Sequence, residues 1–263
     1  MNNNSANRGD RMPVLFVGHG SPMNAVEDNE YTREWERVAK LIPTPTAILA
    51  ISAHWYTDGT RIIDEEYPKM IYDIYGFPEE IYKIEYKSKG APEFAKLTKE
   101  LIQKEVRSDY NWGYDHGTWS VLHRMYPKAD IPVYQLSIDR NADAQTHYQL
   151  GKELQELREK GVLIFGSGNV VHNLRLVDWS VEKGFDWAEE FDAYIKEKVQ
   201  SKNYEDVVHY KKAGQAALKS FTTPEHFYPL LYVLGASEDR DKLMVFNDSC
   251  TLGALSMTSY MFY

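Results

Sequence analysis

The sequence contains a single cysteine, Cys250, in 263 residues. An intrachain disulfide is therefore excluded, as is a zinc module built from paired cysteines. Any transition metal has to be held by histidines and carboxylates. Excess positive charge is also missing: 30 Lys and Arg stand against 39 Asp and Glu, a net charge of −9. That balance works against polyphosphate and anionic membrane surfaces, so nucleic acid is not an expected partner. The longest apolar stretches, around 47–53 and 227–236, fall well short of the roughly 20 residues of a membrane span. The opening run MNNNSANRGDRM lacks the apolar middle of a secretory signal, so residues 1–12 read as a disordered tail and 13–263 as the folded domain, in a reducing cytoplasm. Two glycine runs after apolar segments, Gly18-His19-Gly20 and Gly166-Ser167-Gly168, do not complete a dinucleotide fingerprint, because Met23 and Val171 occupy the third glycine positions. Ser167 lacks the flanking pattern of a nucleophile elbow, which argues against a serine hydrolase.

What is present is the rhythm of an α/β domain. VLFVG (14–18), TAILAIS (46–52), IPVYQLSI (131–138), VLIFGSG (162–168) and KLMVFND (242–248) predict core strands, with IYKIEY (81–86) as a more polar one. Phe94, Leu97 and Leu101 recur at helical spacing after Pro92, and Leu150, Leu154 and Leu157 do so before Gly161. No linker, repeat or charge block divides the chain. The expectation is one α/β domain: a central, mostly parallel or mixed sheet flanked by helices. The segment from Asp58 to Ser88, with its run YPKMIYDIYGFPEEIY, reads as a long excursion of the kind that covers a binding site.

Histidine is the informative residue. His19 follows the first predicted strand in G-H-G-S-P, His54 follows the second in S-A-H-W-Y, and His172 lies just past VLIFGSG in G-S-G-N-V-V-H-N. Ligands of open α/β sheets collect outside the carboxyl ends of the strands, where histidines from separate segments converge. His226, in T-T-P-E-H-F-Y-P, sits in a predicted first helical turn after a Thr223 cap and Pro224. There the helix dipole favours neutral imidazole, the metal-binding form. His116, in Y-D-H-G-T-W, precedes another predicted helix, and Gly117 beside it offers a substrate close approach to the backbone. Gly166 and Gly168 are expected to make the turn that places His172. His123, His147 and His209 read as structural or solvated.

The runs FVGHGSPMNA (16–25), ISAHWYTDGTRI (51–62), YDHGTWSVLHRMYPKADIPVYQLSID (114–139), GSGNVVHNL (166–174) and PEHFYPLLYVLGA (224–236) together resemble the extradiol ring-cleaving dioxygenases of the protocatechuate 4,5-dioxygenase B-subunit superfamily, in particular its single-chain DOPA-cleaving type. The resemblance implies one divalent metal, Zn2+ or Fe2+, bound by His19, His54 and His226, with Fe2+ required for ring cleavage. It further implies that His116 and His172 act as acid/base groups and that His172 joins as a fourth ligand when no substrate is present. Substrates would be a small aromatic diol and O2. The better-known branch of that superfamily uses two histidines and a glutamate, whereas here His226 stands at the third position with Glu225 beside it. The same imidazoles are also the ligand set of a zinc-dependent hydrolase, and a non-catalytic metal-binding interaction protein is a third reading. For a flat catechol, Trp55 next to His54 is an expected wall of the slot.

Overall fold

Four apolar runs form the centre of the sheet in the computed structural model, which describes residues 11–263. They are β1 (Val14–Gly18), β2 (Ala47–Thr57), β5 (Val133–Asp139) and β6 (Val162–Gly168). These four are parallel, in the order β5-β2-β6-β1. Shorter strands complete an eight-stranded mixed sheet: β3 (Thr60–Ile62) and β4 (Val106–Ser108) beyond β5, and β10 (Ser259–Phe262) then β7 (Leu243–Phe246) beyond β1. A separate ribbon pairs β8 (Cys250–Thr251) with β9 (Leu255–Ser256). Burial on both faces explains why the central strands read as mostly apolar runs, with β5 carrying the buried Gln135 and Ser137 among them. Alternate residues face opposite ways: Phe16, Leu49, Ile51 and Ile164 enter one core, and Leu15, Ile48, Ala50 and Phe165 the other.

The first core is covered by α2 (Pro92–Leu101), α4 (Ala144–Glu153), the short α5 (Glu156–Glu159), α6 (Asp186–Gln200), α7 (Tyr204–Val208), α8 (Gln215–Ser220) and α9 (Tyr228–Ala236). The second lies under α1 (Glu30–Ala39), with Trp35 and Val38, and α3 (His116–Met125), with Trp119 and Leu122. Every residue of α9 is buried, so its sequence carries no amphipathic stripe. Among the described residues no helix is long and apolar enough to cross a membrane.

Several expectations needed correction. IYKIEY is not a strand: Ile81–Lys83 forms a single tight helical turn. The stripe through Leu150, Leu154 and Leu157 breaks into α4 and α5 at Leu154. The disordered tail expected over residues 1–12 lies outside the described residues as far as residue 10. Arg11 and Met12, however, are docked: Met12 is buried, its N–H donates to Arg158 O at 3.1 Å, and Arg11 pairs with Glu238 and Asp241.

Most consequential is β2, which does not end before His54. Its pairing with β5 slips between Ile51 and Tyr56, so that residues 52–55 bulge out of register. A bulge re-aims side chains next to a site, and here it carries His54.

Candidate metal centre

Five of the eight histidines line one cavity of about 520 Å³ at the carboxyl ends of the central strands. His19 follows β1, and its backbone N–H donates to Gly168 O at 3.0 Å, which locks it to the end of β6. His116 opens α3 behind the Asp115 cap, whose side chain accepts from Thr118 N. His226 ends a tight helical turn, Pro224–His226, that leads into α9, while Thr223 makes no side-chain cap. That turn lies directly on β6: a Cβ on Gly168 would sit 2.1 Å from His226 O. Gly168 therefore admits the His226 backbone rather than turning the chain toward His172. A Cβ on Gly117 would likewise fall 2.5 Å from Ser52 Oγ and 2.8 Å from His54 Cδ2. The close approach there is made by the His54 ring, not by a substrate.

The hydrogen bonds fix which ring nitrogens face the cavity. Ser167 donates its hydroxyl to Gly117 O at 2.5 Å, so its oxygen accepts from His19 Nδ1 at 2.9 Å. That leaves the lone pair on His19 Nε2. Glu225 Oε1 lies 3.2 Å from His226 Nδ1, so His226 Nε2 also carries a lone pair, and this buried atom has no partner. His116 Nδ1 donates to Asp73 Oδ2 at 3.0 Å, and its backbone N–H to Asp73 Oδ1 at 2.8 Å. Partners of this kind on the far ring nitrogen orient metal-binding imidazoles.

His19 Nε2 and His54 Nε2 stand 3.3 Å apart. Metal–nitrogen bonds of about 2.0–2.1 Å at a tetrahedral angle put two ligand nitrogens about 3.3–3.4 Å apart. The donor set therefore fits a divalent ion, and nitrogens of His19, His54 and His116 all lie within 4.8 Å of one another. His226 adjoins this group, with its ring centroid 5.3 Å from His19 and 4.9 Å from His54. His172 lies flat against His226, with centroids 3.4 Å apart and planes within 4°.

Burial, reinforced by neighbouring imidazoles, holds the pKa of His19, His54 and His226 well below the ordinary histidine value. His172 falls to about 4, chiefly through burial and then through His116. Neutral rings are the form that binds metal. Beneath them, Asp115 accepts from Ser52 at 2.6 Å and from Gln135 Nε2 at 2.5 Å. Burial and nearby Asp73 push its carboxyl up to about 6.

His123 and His147 lie in α3 and α4, and His209 is exposed at the end of α7; none lines this cavity. Trp55 does not line it either. It is buried and stacks on Trp112, with planes 2° apart, because neighbours in an extended strand point to opposite faces. The walls are instead Pro22, Ile74, Phe77, Leu174, Trp179 and Leu255. Sequence reasoning missed Asp73 and the orienting role of Ser167. Asp73 sits inside the Tyr-rich excursion as a lone acid between Ile71-Tyr72 and Ile74-Tyr75, a pattern that could have singled it out.

Comparison with known proteins agrees with this geometry. The family model described as the catalytic LigB subunit of aromatic ring-opening dioxygenase matches residues 13–263. The 4,5-DOPA dioxygenase extradiol of Escherichia coli K12 is 43% identical over 255 residues, covering 95% of this chain and 94% of that protein. The Beta vulgaris protein of the same name is 36% identical over 257 residues, covering 95% and 96%. An uncharacterized Escherichia coli K12 protein of known crystal structure superposes with a TM-score of 0.85 at 39% identity, over 96% of this chain and 100% of that one. The histidine cluster at the strand ends, the family match across the folded chain and these near full-length relatives lead to one conclusion: the chain belongs to the LigB family of aromatic ring-opening dioxygenases and is an extradiol-type oxidoreductase.

Proposed function

We propose that this dioxygenase opens DOPA-like catechols by 4,5-cleavage at one Fe2+ held by His19, His54 and His226, in a reducing cytoplasm. His172 serves as a fourth ligand until substrate arrives, and His116 and His172 move the protons. The ligand assignment is supported by His226 Nε2, buried and without a hydrogen-bond partner on a ring whose centroid lies 5.3 Å from that of His19 and 4.9 Å from that of His54, although the three nitrogens that lie within 4.8 Å of one another belong to His19, His54 and His116. The relatives named 4,5-DOPA dioxygenase extradiol support the substrate class. Bound Fe2+ would supply a site where catecholate and O2 meet and exchange electrons, whereas Zn2+ fits the same donors but is redox-inert and would leave ring cleavage silent.

The chain's own residues handle the protons. His116, backed by the Asp73 carboxylate at 3.0 Å, is suited to take a phenolic proton, because the carboxylate stabilises the imidazolium that results. His172, neutral and stacked on His226, stands where a second proton can be held for the product. Ile74, Phe77, Leu174 and Leu255 line an apolar slot for the flat ring.

The test is anaerobic reconstitution with Fe2+, followed by DOPA and O2 while absorbance is scanned for the yellow ring-opened semialdehyde. Stoichiometric O2 uptake with yellow product is expected. Silence across a panel of catechols, with iron loading confirmed, would overturn the proposal.

A further inference from the structure

A metal-binding imidazole is oriented by a partner on its far ring nitrogen, and one histidine of the cluster lacks that partner. His19, His116 and His226 each meet an oxygen at Nδ1, from Ser167, Asp73 and Glu225. His54 has no such hydrogen bond among the described residues: Asp73 Oδ2 stands 3.8 Å from its Nδ1, beyond hydrogen-bond reach. The ring is therefore placed chiefly through its backbone, which lies in the bulge of β2.

Asp115 grips that bulge on both sides of His54. On one side the His54 N–H donates to Ser52 Oγ at 3.3 Å, and the Ser52 hydroxyl donates to Asp115 Oδ1 at 2.6 Å. On the other, Trp55 stacks on Trp112 with planes 2° apart, and Trp112 Nε1 donates to Asp115 Oδ2 at 3.2 Å. The carboxylate is wholly buried and anchored in turn: Gln135 Nε2 of β5 donates to Oδ2 at 2.5 Å, and Thr118 N of α3 donates to Oδ1 at 3.3 Å. Gln135 pairs with Ala50, one residue before the last regular pair, Ile51 with Leu136, after which the register slips. Over Gly117 these groups converge, since a Cβ there would stand 2.5 Å from Ser52 Oγ, 2.8 Å from His54 Cδ2 and 3.2 Å from Asp115 Oδ1.

From this arrangement we infer that Asp115, acting through Ser52 and Trp112, is the positioning residue that sets His54 for the metal. The inference rests on His54 being a ligand, as proposed above, and adds the device that holds it. Asp115 also caps α3, but a cap alone does not call for a carboxylate. Asn caps a helix equally well, and a buried charge is costly. Only the carboxylate accepts on both oxygens at once, which is what the grip on Ser52, Trp112 and Gln135 uses.

The test reads metal affinity, which a general loss of stability does not weaken while the protein stays folded. Zn2+ is titrated into metal-free protein against a chromophoric chelator, and thermal unfolding of the same samples is followed by circular dichroism. The proteins compared are the parent, Ser52→Ala, Asp115→Asn, His54→Ala and Val162→Ala. Asp115→Asn keeps the helix cap while turning an amide donor toward Gln135 and Trp112, or toward Ser52. Val162 is buried at the amino end of β6, the end away from the histidines, so its variant loses stability without touching the grip. Residues that orient a ligand are typically worth 10- to 100-fold in metal affinity, so Ser52→Ala and Asp115→Asn should each bind Zn2+ about tenfold or more weakly than the parent. Val162→Ala should lower Tm and leave the affinity unchanged. If His54→Ala loses the metal while Ser52→Ala and Asp115→Asn bind it within about twofold of the parent, the inference fails and the ligand reading stands. It fails equally if Val162→Ala loses as much affinity as they do. If His54→Ala itself binds Zn2+ like the parent, the ligand reading fails.

Discussion

Replacing Asp73 by Asn changes two hydrogen bonds and one charge without changing shape. Asp73 accepts from the His116 backbone N–H at 2.8 Å and from His116 Nδ1 at 3.0 Å. An asparagine can keep only one of these as acceptor. With its oxygen on the backbone N–H, its amide turns a donor toward Nδ1, and His116 must move its own proton to Nε2, the atom that should receive one from the catechol. Loss of a hydrogen bond to a charged group costs about 1.5–3 kcal/mol, which corresponds to a decrease of about 10- to 150-fold in kcat. The assay is O2 uptake on a saturating catechol, paired with iron analysis and circular dichroism of the same preparation. The expected result is a lower kcat, while iron content and fold stay unchanged. A kcat within about twofold of the parent would refute the role given to His116 as base. Iron lost in step with activity would instead make His116 a ligand, as its proximity to His19 and His54 allows.

Further outcomes follow from the same geometry. His226→Ala should lose iron and activity together, whereas His172→Ala should keep most of its iron but lose at least about a hundredfold in rate, checked by metal analysis beside turnover. Gly117→Ala forces a methyl against Ser52 and His54 and should cost about 1–3 kcal/mol, seen as a lower Tm together with weaker metal binding. Asp241 closes a buried pair with Arg158 at 2.8 Å, so Asp241→Ala should cost about 3–5 kcal/mol by urea unfolding. For metal-free protein, His19, His54, His172 and His226 have depressed folded-state pKa values. The unfolded chain therefore binds more protons below about pH 6.5, and their contribution, full above that value, is lost as pH falls toward 4. Asp115 and Asp192, each pushed up to about 6 by burial, act in the opposite sense between about pH 4 and 6. The histidines outnumber them, so denaturation midpoints should drop between pH 6.5 and 4.

The central sheet was legible because its strands are buried on both faces and read as mostly apolar runs from Val14, Ala47, Val133 and Val162, interrupted only by buried polar residues such as Ser52, Gln135 and Ser137 until they reach their carboxyl ends. The last strand, Ser259–Phe262, was not read: its four residues follow a short ribbon and pair antiparallel with β1, a contact between the two ends of the chain that no local pattern announces. Likewise the convergence of His19, His54, His116, His172 and His226 could be expected from their positions after strands and at helix starts. The reason His54 reaches the others could not, since it depends on a register slip against β5. Trp55 was misjudged for the related reason that a strand sends adjacent side chains to opposite sides. Asp73 and Trp179 come from irregular segments whose course is set by tertiary packing, so only their composition was visible beforehand.

Loaded with Fe2+, this histidine cluster is proposed to insert O2 into a catechol ring. Turnover of DOPA under isotopically heavy O2, with mass spectrometry of the ring-opened product, tests it most directly. Both heavy oxygen atoms are expected in the product, with one O2 consumed per ring opened. A product carrying label from water only, or ring modification without O2 uptake, would contradict it.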